Sequence, residues 1–291
     1  MASNNPLVTH IYTADPSAHV FDGTLYIYPS HDRETDIQFN DNGDQYDMYD
    51  YHVLSMEKVG GPVTDHGVVL STPDVPWVSK QLWAPDAATK NGKYYLYFPA
   101  RDKQNVFRIG VAVSDSPSGP FKAEPEPIPG SYSIDPAAFV DDDGQGYLYF
   151  GGLWGGQLQC WSQNAAGEWD LQILDESGTP LAADDHDRRF FEAAWMHKYN
   201  GKYYFSYSTG DSHYIVYATG DSPLGPFTSR GRILEPVLGW TTHHSIAEFQ
   251  GKWYLFYHDC SLSGGVDHLR SVKMREIVHD AEGAIHLASS D

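Results

Sequence analysis

Apolar and polar positions along the chain repeat in the pattern of β-hairpins. The clearest runs from Phe190 to Tyr207, with a strand of apolar and small residues, the dipeptide Asn200-Gly201, and a strand rich in aromatic residues. Asn-Gly favours a type I′ turn, whose two central residues both need a positive φ. Aromatic residues suit a pleated, half-buried strand. The pattern therefore predicts an antiparallel hairpin in this segment.

The same pattern occurs four more times. The turn glycines lie at positions 23, 92, 144, 201 and 251, so the steps are 69, 52, 57 and 50 residues. A period of about 50 residues with several strands in each unit is typical of a β-propeller. Five copies predict an all-β fold, a five-bladed β-propeller, with residues 1–291 as a single domain.

Other segments predict how the blades are completed. A strand followed by an Asp-Ser-Pro-x-Gly-Pro-Phe turn occurs at 115–121 and again at 221–227, which favours blades of three or four strands. Residues 169–174 are expected to form one outer strand. Residues 267–274 are expected to complete the last blade and to pair with N-terminal residues, since closure removes an exposed edge. Residues 30–50 form a long polar loop, and such loops are usually functional or mobile.

One polar residue precedes each turn glycine by six to nine positions: Asp15, Asp86, Asp135, Glu192 and His243. Equivalent strands of a propeller lie at the same radius. If each hairpin begins with the innermost strand, all these side chains converge on one end of the axis. An apolar core would not select this set, because buried charges are costly. For Asp15 alone a structural role is also open, because Asp-Pro is common in turns.

Composition and charge narrow the function. The net charge of −20 argues against nucleic acid and anionic membranes as partners, and no apolar run is long enough for a transmembrane helix. No hydrophobic region follows Met1 to Asn5, so we expect a cytoplasmic protein, with secretion after removal of a signal as the open alternative. Cys160 and Cys260 are expected to be free thiols of a reducing compartment. The sequence leaves the oligomeric state open.

The order of four short motifs resembles glycoside hydrolase family 43, which contains β-xylosidases, α-L-arabinofuranosidases and arabinanases on a five-bladed β-propeller. The resemblance extends over essentially the whole chain. The motifs are Ala14-Asp15-Pro16, Ser133-Ile134-Asp135-Pro136, Phe190-Phe191-Glu192-Ala193, and His243 before Ser245-Ile246.

The resemblance implies roles for three carboxyl groups. Glu192 is the expected general acid, Asp15 the general base on water, and Asp135 the group that orients the acid and raises its pKa. A neighbouring negative charge does disfavour ionisation of a carboxylic acid. The family inverts the anomeric configuration, so Asp15 and Glu192 should stand roughly 6.5–9.5 Å apart to admit a water molecule.

Substrate and metal contacts are also predicted. The residues expected to contact substrate are Trp83, Ile134, Trp154, Phe191, Arg270 and His31. For Trp154 a structural role in a bulge is equally open, and for Arg270 the alternative is a surface position. The family resemblance further implies Ca²⁺ on the axis, bound mainly by water and by His243. The alternative is a neutral, hydrogen-bonded His243 with only water on the axis.

These observations predict an inverting, exo-acting glycoside hydrolase that releases xylose, and also arabinose, from xylo-oligosaccharides or arabinoxylan fragments. An endo-arabinanase of the same fold and a non-catalytic sugar-binding propeller are the alternatives. A binding protein has no need of three axial carboxylates. A retaining fructosidase is disfavoured, because the chain has neither a Trp-x-Asn-Asp-Pro start nor an Arg-Asp-Pro motif.

Overall fold

The computed structural model describes residues 5–152, 161–164 and 167–289. These residues are almost entirely β-strands and turns. A single 3₁₀ turn, Thr72–Asp74, is the only helical element among them. The described part of the chain accordingly has no helix with the length and apolar character needed to cross a membrane.

The strands form five sheets, taken here in chain order. The first contains β1 (Tyr12–Phe21), β2 (Thr24–Asp32), β3 (Asp50–Met56) and β4 (Thr64–Ser71). The second contains β5 (Val78–Lys80), β6 (Asp86–Lys90), β7 (Lys93–Asp102), β8 (Phe107–Ser114) and β9 (Lys122–Ala123). The third contains β10 (Ala137–Val140), β11 (Gly146–Phe150), β12 (Trp161–Asn164) and β13 (Gly167–Asp170). The fourth contains β14 (Ile173–Leu174), β15 (Glu192–Tyr199), β16 (Lys202–Ser208), β17 (Ile215–Gly220) and β18 (Phe227–Leu234). The fifth contains β19 (His244–Phe249), β20 (Lys252–Asp259), β21 (Ser271–His279) and β22 (Ile285–Leu287).

The repeated hairpins are confirmed. Strands β15 and β16 pair in antiparallel register, with Tyr199 opposite Lys202. Between them Asn200 has φ 48° and Gly201 has φ 76°, the two positive values that a type I′ turn requires. The equivalent pairs at 22–23, 91–92 and 250–251 have the same signs.

The prediction of a five-bladed β-propeller is wrong, although the fold is all-β as expected. Four sheets, those that contain β1, β10, β15 and β19, have a regular four-stranded antiparallel blade, but the second sheet follows the path β5-β7-β8-β9 with β6 beside it. The ten-residue β7 is shared by two short partners, because β6 pairs with its first half and β5 with its end. Pro85 precedes β6 and has no N–H to extend that ladder. The propeller therefore has four regular blades and not five.

The single outer strand expected over residues 169–174 is also wrong. Residues 169 and 170 end β13 in the third sheet, whereas Ile173 and Leu174 form β14 in the fourth sheet, parallel to β18. The apolar pattern of this segment did not show that the chain leaves one sheet for the next.

Four hydrophobic clusters hold neighbouring sheets together in the described part of the chain. They join the first sheet to the second, the third to the fourth, the fourth to the fifth, and the fifth to the first. Their largest fully buried members include Tyr28, Phe98, Tyr149, Phe205 and Phe256. Burial of each such ring contributes roughly 1.5–3 kcal/mol.

The first strands of the hairpins pack around a common axis. β1 contacts β6, β6 contacts β10, β10 contacts β15, β15 contacts β19, and β19 contacts β1. The two ends of the chain meet beside this ring, because the Leu7 N–H donates to the Val272 carbonyl at 2.8 Å and the Thr13 N–H to the Arg270 carbonyl at 2.9 Å. The expected pairing of C-terminal with N-terminal residues is thus confirmed. The ring brings the beginnings of the inner strands to one end of the axis.

Candidate active site

A cavity of about 310 Å³ opens at this end of the axis. Its charged lining comes from the beginnings of the inner strands, from the segment before β21 and, through Asp41, from the loop between β2 and β3. Aromatic side chains at its mouth are largely exposed, with Phe39 61% and Trp240 51% accessible. The charged members of the lining include Asp15, Asp135, Glu192, His243 and Arg270.

Asp15 enters the cavity through a bulge in β1. Its φ is 48°, and the register with β2 shifts between Ala14 and Ser17, which re-aims the side chain. Oδ2 of Asp15 accepts the Ser30 hydroxyl at 2.7 Å, and Oδ1 accepts Nη1 of Arg270 at 3.0 Å. Burial alone would raise the pKa of Asp15, but Arg270, His258, His243 and the Ser30 hydrogen bond together outweigh burial, and the pKa falls to about 2. Asp15 is therefore an ionised carboxylate.

Asp135 and Glu192 are joined through the backbone of Ala193. Asp135 and Ala193 have φ values of 56° and 60°, and the Ala193 N–H donates to Oδ2 of Asp135 at 2.8 Å. The ladder of β15 shifts just after Glu192, as that of β1 shifts around Asp15. The sequence shows no signal for these bulges other than the polar residue itself.

The electrostatics of this pair are opposite to those of Asp15. Burial, followed by the negative charge of Asp15, raises the pKa of Glu192 to about 7. Burial and the charges of Glu192 and Asp15 raise the pKa of Asp135 well above its usual range. Because both pKa values are raised, Asp135 and Glu192 keep their protons to a higher pH than Asp15 does. The cavity thus contains an ionised carboxylate and a protonated carboxyl pair.

Arg270 lies in the cavity wall and not on the surface, since only 2% of it is exposed. Its Nε and Nη2 donate to the two carboxylate oxygens of Asp32, both at 2.8 Å. Its Nη1 donates to Asp15 and also to Oγ1 of Thr241 at 2.9 Å. A guanidinium held at both ends in this way fixes the Asp15 carboxylate. The predicted contact of Arg270 with substrate stays a prediction.

The structure also distinguishes the two adjacent histidines. His243 lines the cavity, with Nε2 3.8 Å from Oδ2 of Asp135. Burial lowers its pKa, so its imidazole is neutral. His244 faces away, and its Nε2 lies 2.6 Å from the Ser206 hydroxyl.

Besides Arg270, three of the predicted substrate contacts line the cavity: Trp83, Ile134 and Phe191. The indole N–H of Trp83 donates to the Tyr46 carbonyl at 2.8 Å. Phe191 packs against Gly210, which has φ 73° and where a Cβ would lie 2.4 Å from the ring. Only glycine fits this position without displacing Phe191.

His31 lies elsewhere, since its Nδ1 is 2.6 Å from Oδ1 of Asp50. Neighbouring side chains of a strand point to opposite faces. The next residue of β2, Asp32, is the one that reaches Arg270. Trp154 lies outside the described residues.

Sequence reasoning missed part of the lining. The long loop between β2 and β3 supplies Tyr46 and Met48, and the segment before His243 supplies Trp240, Thr241 and Thr242. The length of this loop indicated a functional or mobile segment, but it did not point to Tyr46 and Met48 as lining residues. An aromatic residue three positions before the axial histidine was the available signal for Trp240.

Asp86 does not belong to the cavity lining, although it occupies the equivalent repeat position. It is 1% exposed. Its Oδ1 accepts hydrogen bonds from the Ser17 hydroxyl and the Ala87 N–H and lies 2.7 Å from Nε2 of His19. Its Oδ2 accepts the N–H of Ala138. Asp86 therefore connects the first three sheets and corrects the expectation that all five polar residues line one funnel.

Comparison with known proteins agrees with this site. The family model for glycosyl hydrolases family 43 matches residues 3–285. Xylosidase/arabinosidase 43A from Humicola insolens is 68% identical, over 96% of this chain and 98% of that protein. CoXyl43 is a GH43 beta-xylosidase/alpha-arabinofuranosidase from a compost microbial metagenome. Its calcium-free crystal structure in complex with xylotriose has a TM-score of 0.95 at 61% identity, covering 98% of this chain and 97% of that chain. The GH43_1 enzyme from Xanthomonas citri complexed with xylotriose has a TM-score of 0.92 at 54% identity, covering 100% and 96%. The chain belongs to glycosyl hydrolases family 43.

Proposed function

We propose that this protein is an inverting, exo-acting glycosidase that releases xylose, and also arabinose, from xylo-oligosaccharides or arabinoxylan fragments. The observation that carries the proposal is a single cavity that holds two carboxyl groups in opposed environments: Arg270 bonds to Asp15, whose pKa is about 2, whereas Glu192 is buried beside the charge of Asp15 and has a pKa of about 7. Glycoside hydrolysis needs one ionised and one protonated carboxyl group at the same bond. A sugar-binding protein has no use for this difference.

The shape of the cavity supports exo action on a short substrate. Its inner wall is formed by buried Asp15 and Asp135, and exposed Phe39 and Trp240 stand at its mouth. A terminal sugar can enter this space while the next sugar stacks on an aromatic ring at the rim. The xylotriose complexes of two relatives support a xylo-oligosaccharide as the substrate.

The mechanism follows from the protonation states. Glu192 donates its proton to the glycosidic oxygen as the bond to the anomeric carbon breaks, and the sugar passes through an oxocarbenium-like transition state. Asp15 accepts a proton from a water molecule, and the resulting hydroxyl bonds to the opposite face of that carbon. Asp135 is buried beside Glu192 and orients it, and the negative charge of Asp15 helps to keep the proton on Glu192. Arg270 holds Asp15 in place and ionised.

The neighbourhood of His243 fits a cation on the axis. Both ring nitrogens of His243 are buried, and neither has a hydrogen-bond partner among residues 5–152, 161–164 and 167–289. A carboxylate oxygen of Asp135 lies nearby. His243 would hold Ca²⁺ together with water, since this ion prefers oxygen ligands. The bound ion would fix the position and the pKa of the surrounding carboxyl groups. Chelation followed by metal analysis, with activity and melting temperature measured with and without Ca²⁺, tests this part; no metal and no change in either would refute it.

The experiment for the proposed function is a substrate panel read in two ways. Nitrophenyl β-xyloside, nitrophenyl α-L-arabinofuranoside, xylobiose and linear arabinan are compared by kcat/KM. Proton NMR of the first product from xylobiose then shows its anomeric form. We expect hydrolysis of both nitrophenyl glycosides and of xylobiose, with α-xylose appearing first.

The other outcomes separate the alternatives. Cleavage of linear arabinan to internal fragments, without activity on xylobiose, would identify an endo-arabinanase. Binding without turnover of any substrate would identify a sugar-binding protein. β-Xylose as the first product would contradict inversion.

A further inference from the structure

The edge of the first sheet carries a cluster of histidines and carboxylates that the glycosidase site does not use. His31 lies at the end of β2, and Asp50 and His52 lie at the start of β3. Their potential ligand atoms all lie within 4.8 Å of one another. We propose that His31, Asp50 and His52 bind a divalent transition-metal ion of the Zn²⁺, Co²⁺ and Ni²⁺ class.

The strand register places the three side chains on one face. Ser30 pairs with Tyr51 in the antiparallel ladder, so His31 lies opposite Asp50. Asp50 and His52 are two residues apart on one strand and therefore point to the same side. The rings of His31 and His52 are 4.7 Å apart in an edge-to-face arrangement. The arrangement thus follows from backbone pairing and does not depend on a flexible loop.

A carboxylate behind His52 fixes which of its nitrogens is free. Nδ1 of His52 lies 2.9 Å from Oδ1 of Asp65, on β4. Oδ1 of Asp65 also accepts the N–H of Gly67 at 2.8 Å, so this oxygen acts as a hydrogen-bond acceptor. His52 must then donate from Nδ1, which leaves the lone pair on Nε2. Metal-binding histidines usually have such a carboxylate behind them.

The free nitrogen of His52 faces another acceptor. Nε2 of His52 is 3.9 Å from Oδ1 of Asp50, which is too long for a hydrogen bond. The same oxygen is 2.6 Å from Nδ1 of His31. A cation between the three atoms would satisfy the lone pair and the carboxylate together. His31 would ligate through Nδ1 by moving its proton to Nε2, a change of tautomer without loss of charge.

Chemistry and access favour a transition metal over Ca²⁺. Two imidazoles and one carboxylate suit Zn²⁺ and its neighbours, whereas Ca²⁺ prefers oxygen ligands. The side chains of His31, Asp50 and His52 are 21%, 18% and 11% exposed, so an ion can enter from solvent. A three-ligand set also leaves one position of a tetrahedral site for water.

The position of this cluster links it to the cavity wall. His31 and Asp50 stand just before and just after the ends of the loop of residues 33–49. That loop supplies Phe39, Tyr46 and Met48 to the cavity. A bound ion would cross-link both ends of the loop.

The test is metal binding by the full chain with excess Ca²⁺ present to occupy any axial site. After chelator treatment, Co²⁺ is titrated and followed by its visible absorption, and Zn²⁺ is titrated by calorimetry. We expect one ion per chain. His52→Ala should weaken binding at least about 10-fold, and Asp65→Asn, which keeps all three ligands, about 10–100-fold.

Matched controls separate this cluster from other sites. His286→Ala removes an exposed histidine that pairs with Asp280 at 2.8 Å, and it should leave binding unchanged. His243→Ala removes the axial histidine and should also leave binding unchanged. Circular-dichroism melting checks that each variant folds, and His31→Gln replaces His52→Ala if the latter does not. The proposal is overturned if the wild type binds neither ion, if His52→Ala or its replacement binds as tightly as wild type, or if His243→Ala abolishes the signal.

Discussion

Asp86 and Glu192 occupy the same position in two repeats, yet the structure gives them opposite environments. The carboxylate of Asp86 receives hydrogen bonds from three chain segments, including the N–H groups of Ala87 and Ala138. Glu192 lies among other carboxyl groups, and burial and the charge of Asp15 raise its pKa to about 7. A buried carboxylate surrounded by donors is a structural tie, whereas one surrounded by like charges holds a proton that it can give away.

Asp15 is a third case, because the guanidinium of Arg270 stabilises its carboxylate where hydrogen-bond donors stabilise that of Asp86. Arg270 bonds directly to Asp15 and is the strongest of the influences that lower its pKa to about 2 against the effect of burial. The repeat thus places carboxyl groups at one end of the axis, and the partners of each decide whether it holds the fold, accepts a proton or donates one.

The largest effect is expected from removing the proton that Glu192 gives. Glu192→Gln should lower kcat/KM on xylobiose about 10²–10⁴-fold, because a poor leaving group needs protonation. An aryl glycoside with a good leaving group should lose much less activity. Both substrates are measured with the same enzyme preparation. An equal loss on both would remove Glu192 from the role of acid.

Removing the cation beside Asp15 tests the second half of the comparison. Arg270→Ala leaves Asp32 buried without its partner, at a cost of roughly 3–5 kcal/mol, and lets the pKa of Asp15 rise. Arg270→Lys keeps the charge without the fork. In each variant that folds, the acidic limb of the kcat/KM profile should move to higher pH. The shift should be larger for Arg270→Ala than for Arg270→Lys. Unchanged kcat, KM and acidic limb in either folded variant would show that Arg270 does not act on Asp15.

The structural carboxylate should respond differently. Asp86→Ala leaves the buried N–H groups of Ala87 and Ala138 unpaired, which should lower the free energy of unfolding by roughly 2–5 kcal/mol. Activity per folded molecule should change little. Asp115→Ala, which removes an exposed partner of Lys93, is the control and should leave the urea midpoint unchanged. A stable Asp86→Ala protein without activity would place Asp86 with the catalytic groups.

The smallest effect is a gain in stability at the catalytic position. The pKa of Glu192 is about 7 in the folded chain against a usual value of 4.5, so the folded state binds the extra proton. The stabilisation that this extra proton gives to the folded state is therefore present in full below pH 4.5, and it is lost as the pH rises through 7. Glu192→Gln should then be more stable than wild type above neutral pH, by roughly 1–3 kcal/mol, and equal to it in acid. Urea unfolding at both pH values measures this, and a difference that does not depend on pH would argue against a protonated Glu192.

Much of the site could be predicted because repeat position and radius are linked in this fold. The turn glycines located Asp15, Asp135 and Glu192 at one end of the axis, and the short motifs around them indicated the family. The alternation of side chains along β2 indicates that His31 and Asp32 face opposite ways. This alternation was overlooked when His31 was predicted to contact the substrate.

The rest depended on contacts that repeat spacing does not encode. The sequence could not show that three chain segments satisfy Asp86, or that β7 is shared by two short strands in the irregular second sheet. Positive φ values at Asp15, Asp135 and Ala193 are imposed by the surrounding ring and have no local glycine to announce them.

The central claim is that Glu192 still holds a proton near neutral pH because it is buried and because Asp15 is ionised beside it. Carbon NMR of protein labelled at the glutamate side-chain carboxyl, with Glu192 assigned by its absence in Glu192→Gln, measures its pKa directly. The account predicts a midpoint near 7 for wild type and a lower one in Asp15→Asn, where the neighbouring charge is gone. A midpoint near the usual 4.5 in wild type, or one that Asp15→Asn leaves in place, would contradict it.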